Sequence, residues 1–390
     1  MNADAQRVYA DHHATTPLDP EVLEVMRPWL EGMVANPSSA HGPGRAAREA
    51  VEAARVEVAR VLGAEPPEIV FTSGGTEADN LAVRGGARAA RETDPSRTRV
   101  AFTAAEHAAV REAALSLRAD GFEPLELPVN ARGVPAAGPS PAFDERTALV
   151  SALLANNETG AIFDSLAEFA ARARAAGAVV HTDAVQAVGK IPVDVRALGV
   201  DFLALTAHKF GGPAGAGALF VRTGVRVQPL AAGGGQERGR RGGTENVAAI
   251  VGLGSAIRLA SAHLSSEAAR LSALRDRFEA GLLARVPDVK INAAGGSRLS
   301  TATSALFPGS EAETLVAALD LEGIAVSAGS ACHAGTTSPS RVLLALGLSP
   351  ADARATVRFS FGRTSGEEDV DRLLEVVPRA VERAREAVRA

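Results

Sequence analysis

Two apolar runs in this chain end in groups that could do chemistry together. Asp201 to Leu205 reads as a buried strand that stops at Thr206-Ala-His208-Lys209, with the glycine-rich turn Phe210-Gly-Gly-Pro-Ala-Gly-Ala-Gly217 behind it. Earlier, Ala178-Val-Val-His-Thr-Asp183 reads as a strand that ends in a carboxylate. A lysine at the mouth of a buried strand sits where α/β proteins place their ligands. Partial desolvation there lowers its pKa and frees the amine as a nucleophile towards carbonyls. An isolated lysine after a strand is ordinarily just a solvated one, and the carboxylate is what changes the reading. An amine able to form a Schiff base, beside an acid able to hold a pyridinium nitrogen, is what pyridoxal 5'-phosphate (PLP) asks of a protein.

Other groups stand at comparable places. Thr72-Ser-Gly74-Gly75-Thr76 separates a strand, Glu68 to Phe71, from a helix expected from Ala78 onward. Glycines before a helix N-terminus free backbone N–H groups for a phosphate, although such a turn alone is more often a tight connection. His107 opens the helix after the strand Val100 to Thr103; by itself it reads as a helix cap, and it could also stack on a flat ring. Asn156-Asn157-Glu158 ends the apolar run Thr147 to Ala155, as turn formers or ligand contacts. Gly233 to Asn246 is a glycine-arginine loop; it is short, single and without aromatics, so it reads as a structured loop able to present Thr244 or an arginine to an anion. Cys332, the one cysteine, lies in Ser327-Ala-Gly-Ser-Ala-Cys-His-Ala-Gly335. Small residues on both sides predict a mobile, exposed loop and a reactive thiol rather than a packed one. Arg358 interrupts the apolar strand Ala355 to Gly362 and needs an anion, either a substrate carboxylate or an acid of the protein itself.

The elements that position these groups alternate between strand and helix from about residue 68 to 222. That pattern predicts an α/β fold with a mostly parallel central sheet, helices on both faces and a site at the strand ends. The helix from Arg45 to about Leu62 is apolar at Val51, Ala54, Val58 and Val61, and Ser165 with Glu168 forms a capping-box pattern. One long helical region is expected from Val247 to about Val286. After it come short strands near 289–292, 303–307 and 324–327 and a helix capped by Ser310 and Glu313, as in a smaller α+β domain. We therefore expect a large domain over residues 16–260. A smaller one, from 1–15 and 261–390, would carry the cysteine loop at about 327–340. With 390 residues the chain is too long for one simple core, and its net charge of −5 argues against nucleic acid or an anionic membrane as the main partner. The first residues form no apolar signal core and no run is long enough to span a bilayer, so a cytoplasmic protein is expected. A lone cysteine rules out an intrachain disulfide and a cysteine-based metal cluster, and no metal is expected.

Taken in order, these motifs resemble the cysteine desulfurases of the NifS/IscS-like type, in the class V aminotransferase group of fold-type I PLP enzymes. The resemblance runs from Asp11 to Gly362. It is carried by Ala14-Thr-Thr-Pro17, Asn36-Pro-Ser-Ser39, Phe71-Thr-Ser-Gly-Gly-Thr-Glu-Ala-Asp-Asn80, Glu106-His107, Asn156-Asn-Glu-Thr-Gly160, His181-Thr-Asp-Ala-Val-Gln186, His208-Lys209, Gln236 to Asn246, Ser330-Ala-Cys332 and Arg358-Phe-Ser-Phe-Gly362. It implies that Lys209 holds PLP, Asp183 pairs with the ring nitrogen, Gln186 meets the phenolic oxygen and His107 stacks on the ring. It further implies that Gly75, Thr76, Thr206 and His208 bind the phosphate, joined by Thr244 from the second subunit of a homodimer. Asn157 and Arg358 would orient the amino-acid carboxylate. Cys332 would take sulfur from L-cysteine as a persulfide, release L-alanine and pass the sulfur to an acceptor protein, a scaffold or sulfur carrier such as one for iron–sulfur cluster assembly. Three positions depart from the usual pattern: His333 after the cysteine, Ala214 where a lysine is common, and His12-His13 in the N-terminal motif. The rival readings are a selenocysteine lyase or another class V PLP enzyme and, from a different class, a sulfur-relay scaffold without catalysis or an RNA binder using Arg238, Arg240 and Arg241.

Overall fold

The structure is a computed structural model, and it describes residues 7–32, 35–135, 143–329 and 338–389. After the short β1 (Val8–Tyr9), seven strands make one sheet: β2 (Ile69–Thr72), β3 (Arg99–Thr103), β4 (Glu123–Leu127), β5 (Thr147–Ser151), β6 (Val179–Asp183), β7 (Phe202–Thr206) and β8 (Gly217–Val221). Their order is β2-β8-β7-β6-β5-β3-β4. The strands from β3 to β7 pair in parallel, and β8 runs antiparallel between β2 and β7. Every residue of β2, β3, β5, β7 and β8 is buried, as expected of strands covered on both faces. β7 shows the two-sidedness directly. Leu203 and Leu205 pack with Val58, Leu253 and Ile257, whereas Phe202 and Ala204 pack with Leu81, Val100 and Leu117. β4 escapes sequence reading because Glu123, Pro124 and Glu126 break any apolar run; a proline with no N–H to donate is tolerated at this sheet edge.

The remaining strands are short. β9 (Lys290–Ile291), β10 (Ala302–Leu306), β12 (Ser327–Ala328) and β13 (Thr356–Ser360) form an antiparallel sheet of order β12-β13-β10-β9, while β1 pairs in parallel with β11 (Ile324–Ala325). These strands share a separate core with the helices Leu264–Arg285, Ala312–Leu321 and Glu367–Arg389, built around Phe278, Phe307, Phe359 and Phe361. Its aromatic rings meet edge-on or tilted, as Phe278 and Phe359 do at 4.9 Å between centroids.

Several local expectations change. The stripe Val51, Ala54 and Val58 of helix Gly42–Leu62 is buried as read, with Val61 partly so. The stretch 247–286 is two helices, Val247–Ala262 and Leu264–Arg285, meeting at 70° beside His263. Among the described residues no single helix is long and apolar enough to cross a membrane. Ser165 occupies the N-cap of helix Leu166–Ala175, but its side chain makes no cap bond, because its backbone has left the extended region (φ −94°, ψ 24°) that aims a cap oxygen at the first turn. Helix Ala312–Leu321 is likewise uncapped by a side chain: the Ser310 hydroxyl turns back to the Phe307 carbonyl at 2.8 Å.

Candidate active site

β6 and β7 are neighbours, with Asp183 opposite Ala204, so the two groups that opened the sequence reading lie at adjacent strand ends. Lys209 closes a single 3₁₀ turn, Ala207–Lys209, directly after β7. Its Nζ donates to the carbonyls of His13 and Ala14, at 2.5 and 2.6 Å. Asp183 is 3 % exposed, and its Oδ1 accepts the Val185 N–H at 2.8 Å. Burial raises its pKa, opposed by the charges of His107 and Lys209 and by that N–H. Ligand-type atoms of Asp79, His107 and Asp183 all lie within 4.8 Å of one another, so His107 stands beside the acid it was expected to accompany. It also caps helix Ala108–Ser116, its Nδ1 accepting from Ala109 N at 3.1 Å. The helix-cap reading of that histidine therefore holds.

Behind Asp183 lies a buried polar layer that sequence reasoning missed. His181 Nε2 is 3.4 Å from Asp79 Oδ1, His181 Nδ1 bonds the Ser151 hydroxyl at 2.9 Å, and Thr103 donates to Glu106 Oε1 at 3.0 Å. Burial sets the charge states. It pushes Glu106 up to about 8, with Asp183 adding to the rise, raises Asp79 well above the usual carboxylate range, and pushes His181 down to about 3. These residues were legible only as polar letters in apolar elements; nothing in their spacing marks a layer.

The N-terminal segment, residues 11–16, threads between the large sheet and the small one. The His13 carbonyl receives both Lys209 and Gln186 Nε2, the latter at 2.8 Å. The His13 ring bonds the Thr301 hydroxyl at 2.8 Å and the Asn157 carbonyl at 3.2 Å, and the His13 backbone N–H donates to the Ser360 hydroxyl at 2.9 Å. Because the Asn157 carbonyl can only accept, Nδ1 carries the ring proton. The departure at His13 is therefore a structural hub, filled by a fully buried ring that burial and nearby cations keep neutral.

Arg358 meets an acid of the protein and a backbone carbonyl. Its Nη2 donates to Asp11 at 2.8 Å and its Nη1 to the Asn157 carbonyl at 2.9 Å. Two buried atoms here, Arg358 Nε and Asn157 Oδ1, have no hydrogen-bond partner among the described residues, and such groups are costly to leave unmet. Where a phosphate contact was expected, the helix begins at Gly75 rather than Ala78, which places Gly75 and Thr76 in its first turn with their N–H groups outside the helical ladder. Gly75 has to be glycine: a Cβ there would stand 2.7 Å from Val185 Cγ2. The Thr206 hydroxyl donates to Ala216 O at 3.0 Å, and His208 Nδ1 bonds Thr15 at 3.1 Å. Thr244 is exposed on its loop. That loop is anchored by a buried pair, with Arg55 on Glu237 at 2.8 and 2.9 Å and Glu237 accepting Phe71 N at 3.0 Å. The arginines 240 and 241 are also tied down, to Pro67 O and Glu77. Cys332 and His333 lie outside the described residues.

The class-V aminotransferase profile matches residues 8–373. A cysteine desulfurase of Cereibacter sphaeroides is 46% identical over 385 residues, covering 97% of each chain. An IscS-like cysteine desulfurase of Mycobacterium tuberculosis is 45% identical over 387 residues, covering 98% of each. Among solved structures, a NifS-like protein aligns with a TM-score of 0.87 at 36% identity, covering 97% of this chain and 100% of the other. The structure of SspA in complex with cysteine aligns with a TM-score of 0.78 at 35% identity, covering 91% and 99%. The chain belongs to the class-V aminotransferase family, among its cysteine desulfurases.

Proposed function

We propose that the chain is a PLP-dependent cysteine desulfurase that removes sulfur from L-cysteine as a persulfide on Cys332 and releases L-alanine. The observation that carries this reading is the placement of Lys209 and the buried Asp183 at adjacent strand ends. The donor set suits the cofactor: an amine for its aldehyde, a buried acid for its ring nitrogen, His107 beside that acid, and the first-turn N–H groups at Gly75 and Thr76 for its phosphate. When bound there, PLP supplies an electron sink for the bond cleavages at the substrate's carbons.

This chain's own groups do the rest. Asp183 holds a proton at the ring nitrogen. Gln186 presents a donor to the ring oxygen. Thr206 and His208 would hold the phosphate, joined by Thr244 of a second copy in a homodimer. Arg358, whose buried Nε–H has no partner among the described residues, and the side-chain amide N–H of Asn157 would hold the substrate carboxylate. The Lys209 amine, once released, takes the proton from Cα. The Cys332 thiolate then attacks the substrate sulfur: a sulfur–sulfur bond forms, the substrate's Cβ–S bond breaks, and its electron pair stays with the carbon skeleton that leaves as alanine. An acceptor protein takes the persulfide sulfur. The cytoplasm, where a thiol stays reduced, suits this chemistry. The two separate cores support the division at about residue 260.

The test uses Cys332→Ser. It should fold and bind PLP but lose alanine and sulfide formation together, because a hydroxyl cannot hold a persulfide. Wild type treated with L-cysteine without reductant should gain about 32 Da on the Cys332 peptide. Full sulfide release by the serine variant would overturn the persulfide route in favour of direct elimination.

A further inference from the structure

The side-chain amide of Gln186 is gripped at both ends. Nε2 donates to the His13 carbonyl at 2.8 Å, and Oε1 accepts from Lys190 Nζ at 3.0 Å. A side-chain amide can present either end to a ligand, and its fixed partners decide which. A protonated lysine has only donors, so it selects the oxygen end. Among the described residues the Lys190 ammonium donates to Gln186 and pairs with no carboxylate. Desolvation, with the charges of Lys209 and Arg358, lowers its pKa to about 7. The other groups that feel its charge are His12, His13 and His208, all kept neutral by burial and by this lysine. A cation is thus held among cations, against a neutral amide, where a surface position would cost nothing.

The backbone is shaped to put it there. After β6 the chain winds through helical turns, with Lys190 and Ile191 both donating to Ala187 O at 3.0 Å, so that residues 186 and 190 lie about one turn apart on the same side. Gly189, at φ +78°, permits the last bend, and a Cβ on it would stand 2.7 Å from Phe210 Cβ. The turn that carries Lys190 is therefore seated against the residue next to Lys209.

We propose that Lys190 is a positioning residue for Gln186, holding the amide so that the remaining Nε2–H is the group offered to the cofactor's phenolic oxygen. This rests on the PLP reading above. Nε2 carries two hydrogens; one is taken by His13, and the second is free for the ring oxygen. A reversed amide would set a carbonyl oxygen against a phenolate. Lys190 touches Gln186 and not the reacting atoms, so its effect passes through that amide.

The experiment compares wild type, Lys190→Met, Lys190→Arg, Gln186→Ala and the double variant Lys190→Met/Gln186→Ala. PLP dissociation constants, visible spectra and melting temperatures are measured for each. Lys190→Met and Gln186→Ala should each weaken PLP binding about tenfold, as for loss of a hydrogen bond to a charged group, and should shift the visible band alike. The double variant should bind no more weakly than Gln186→Ala, because both changes remove one interaction. Lys190→Arg should restore most of the binding. Wild-type binding and spectrum in Lys190→Met, or losses that multiply in the double variant, would overturn the inference. If Lys190→Met does not fold, Lys190→Leu, which also removes the donor, takes its place under the same outcomes. A wild type that acquires no visible band, or whose borohydride-reduced label maps away from Lys209, would overturn the PLP reading together with this inference. Normal loading of wild type with an unaffected Lys190→Met overturns the inference alone.

Discussion

The layer around Asp183 and the wall formed by Lys209, Lys190 and Arg358 manage charge in opposite ways. The layer is acidic in composition but nearly neutral in state: Asp79 and Glu106 are pushed towards their protonated forms and His181 towards its neutral one. The wall gathers three cations for which Asp11 is the one acid in an ion pair with Arg358 or Lys190 among the described residues, and relieves the crowding by keeping His12, His13 and His208 neutral. A layer that has given up its charge can be packed solid. A wall of crowded cationic groups, in which Lys190 is pushed down to about 7, is relieved by an anion. The contrast separates the residues that hold the site's shape from those that wait for a ligand.

Changing the wall should therefore cost function, and changing the layer should alter stability. Lys209→Ala has the largest expected effect. The protein should fold, lose the visible band at about 400–430 nm that marks PLP bound through an amine, and show no turnover. A pyridoxyl label found on Lys190 after borohydride reduction of wild type would reassign the role and erase the distinction between the two lysines. Arg358→Ala comes next. It should raise KM for cysteine and lower kcat/KM by about 2–5 kcal/mol, the range for losing one member of a buried charged pair. Unchanged kinetics would leave Arg358 as a partner of Asp11 alone and move it from the wall to the scaffold.

Glu106→Gln is the smallest and tests the layer. A carboxyl whose folded pKa is raised holds a proton in the folded state that the unfolded chain has already released. Its contribution is fully present below the ordinary value of 4.5 and is lost as pH rises towards about 8. Wild-type stability should fall across that window relative to the glutamine variant by an amount on the order of 2 kcal/mol once the buried site relaxes, seen as a lower melting temperature. Parallel melting curves from pH 5 to 8 would mean that Glu106 is ionised in the folded protein and that the layer carries real charge.

The strand ends were readable because buried parallel strands are uninterrupted apolar runs, and whatever polar residue ends such a run is visible by contrast. Lys209, Asp183 and Asn157 were found in that way. The edge strand β4 was not, since its charges and proline resemble a loop. The capping boxes at Ser165 and Ser310 were over-read, because a sequence pattern does not fix the backbone angle that aims the hydroxyl. His13 could not have been placed from its neighbours: its partners are Asn157, Thr301 and Ser360, and only the fold brings them together. The spacing of Gln186 and Lys190 was present in the sequence, but it gains meaning only once the intervening turns are seen to bring the two side chains together and to seat against Phe210.

The N-terminal segment has a consequence for how the protein is made. Asp11 and His13 leave the ribosome long before their partners Arg358 and Ser360, which lie 347 residues later in each case. Contacts of such sequence separation form late, after the large sheet has had time to fold as a unit. Until they form, the carbonyls of His13 and Ala14 that receive Lys209 have no fixed place. A nascent chain halted before Arg358 would therefore carry a finished central sheet and an unfinished site, and synthesis of the last small strand is the event that completes it.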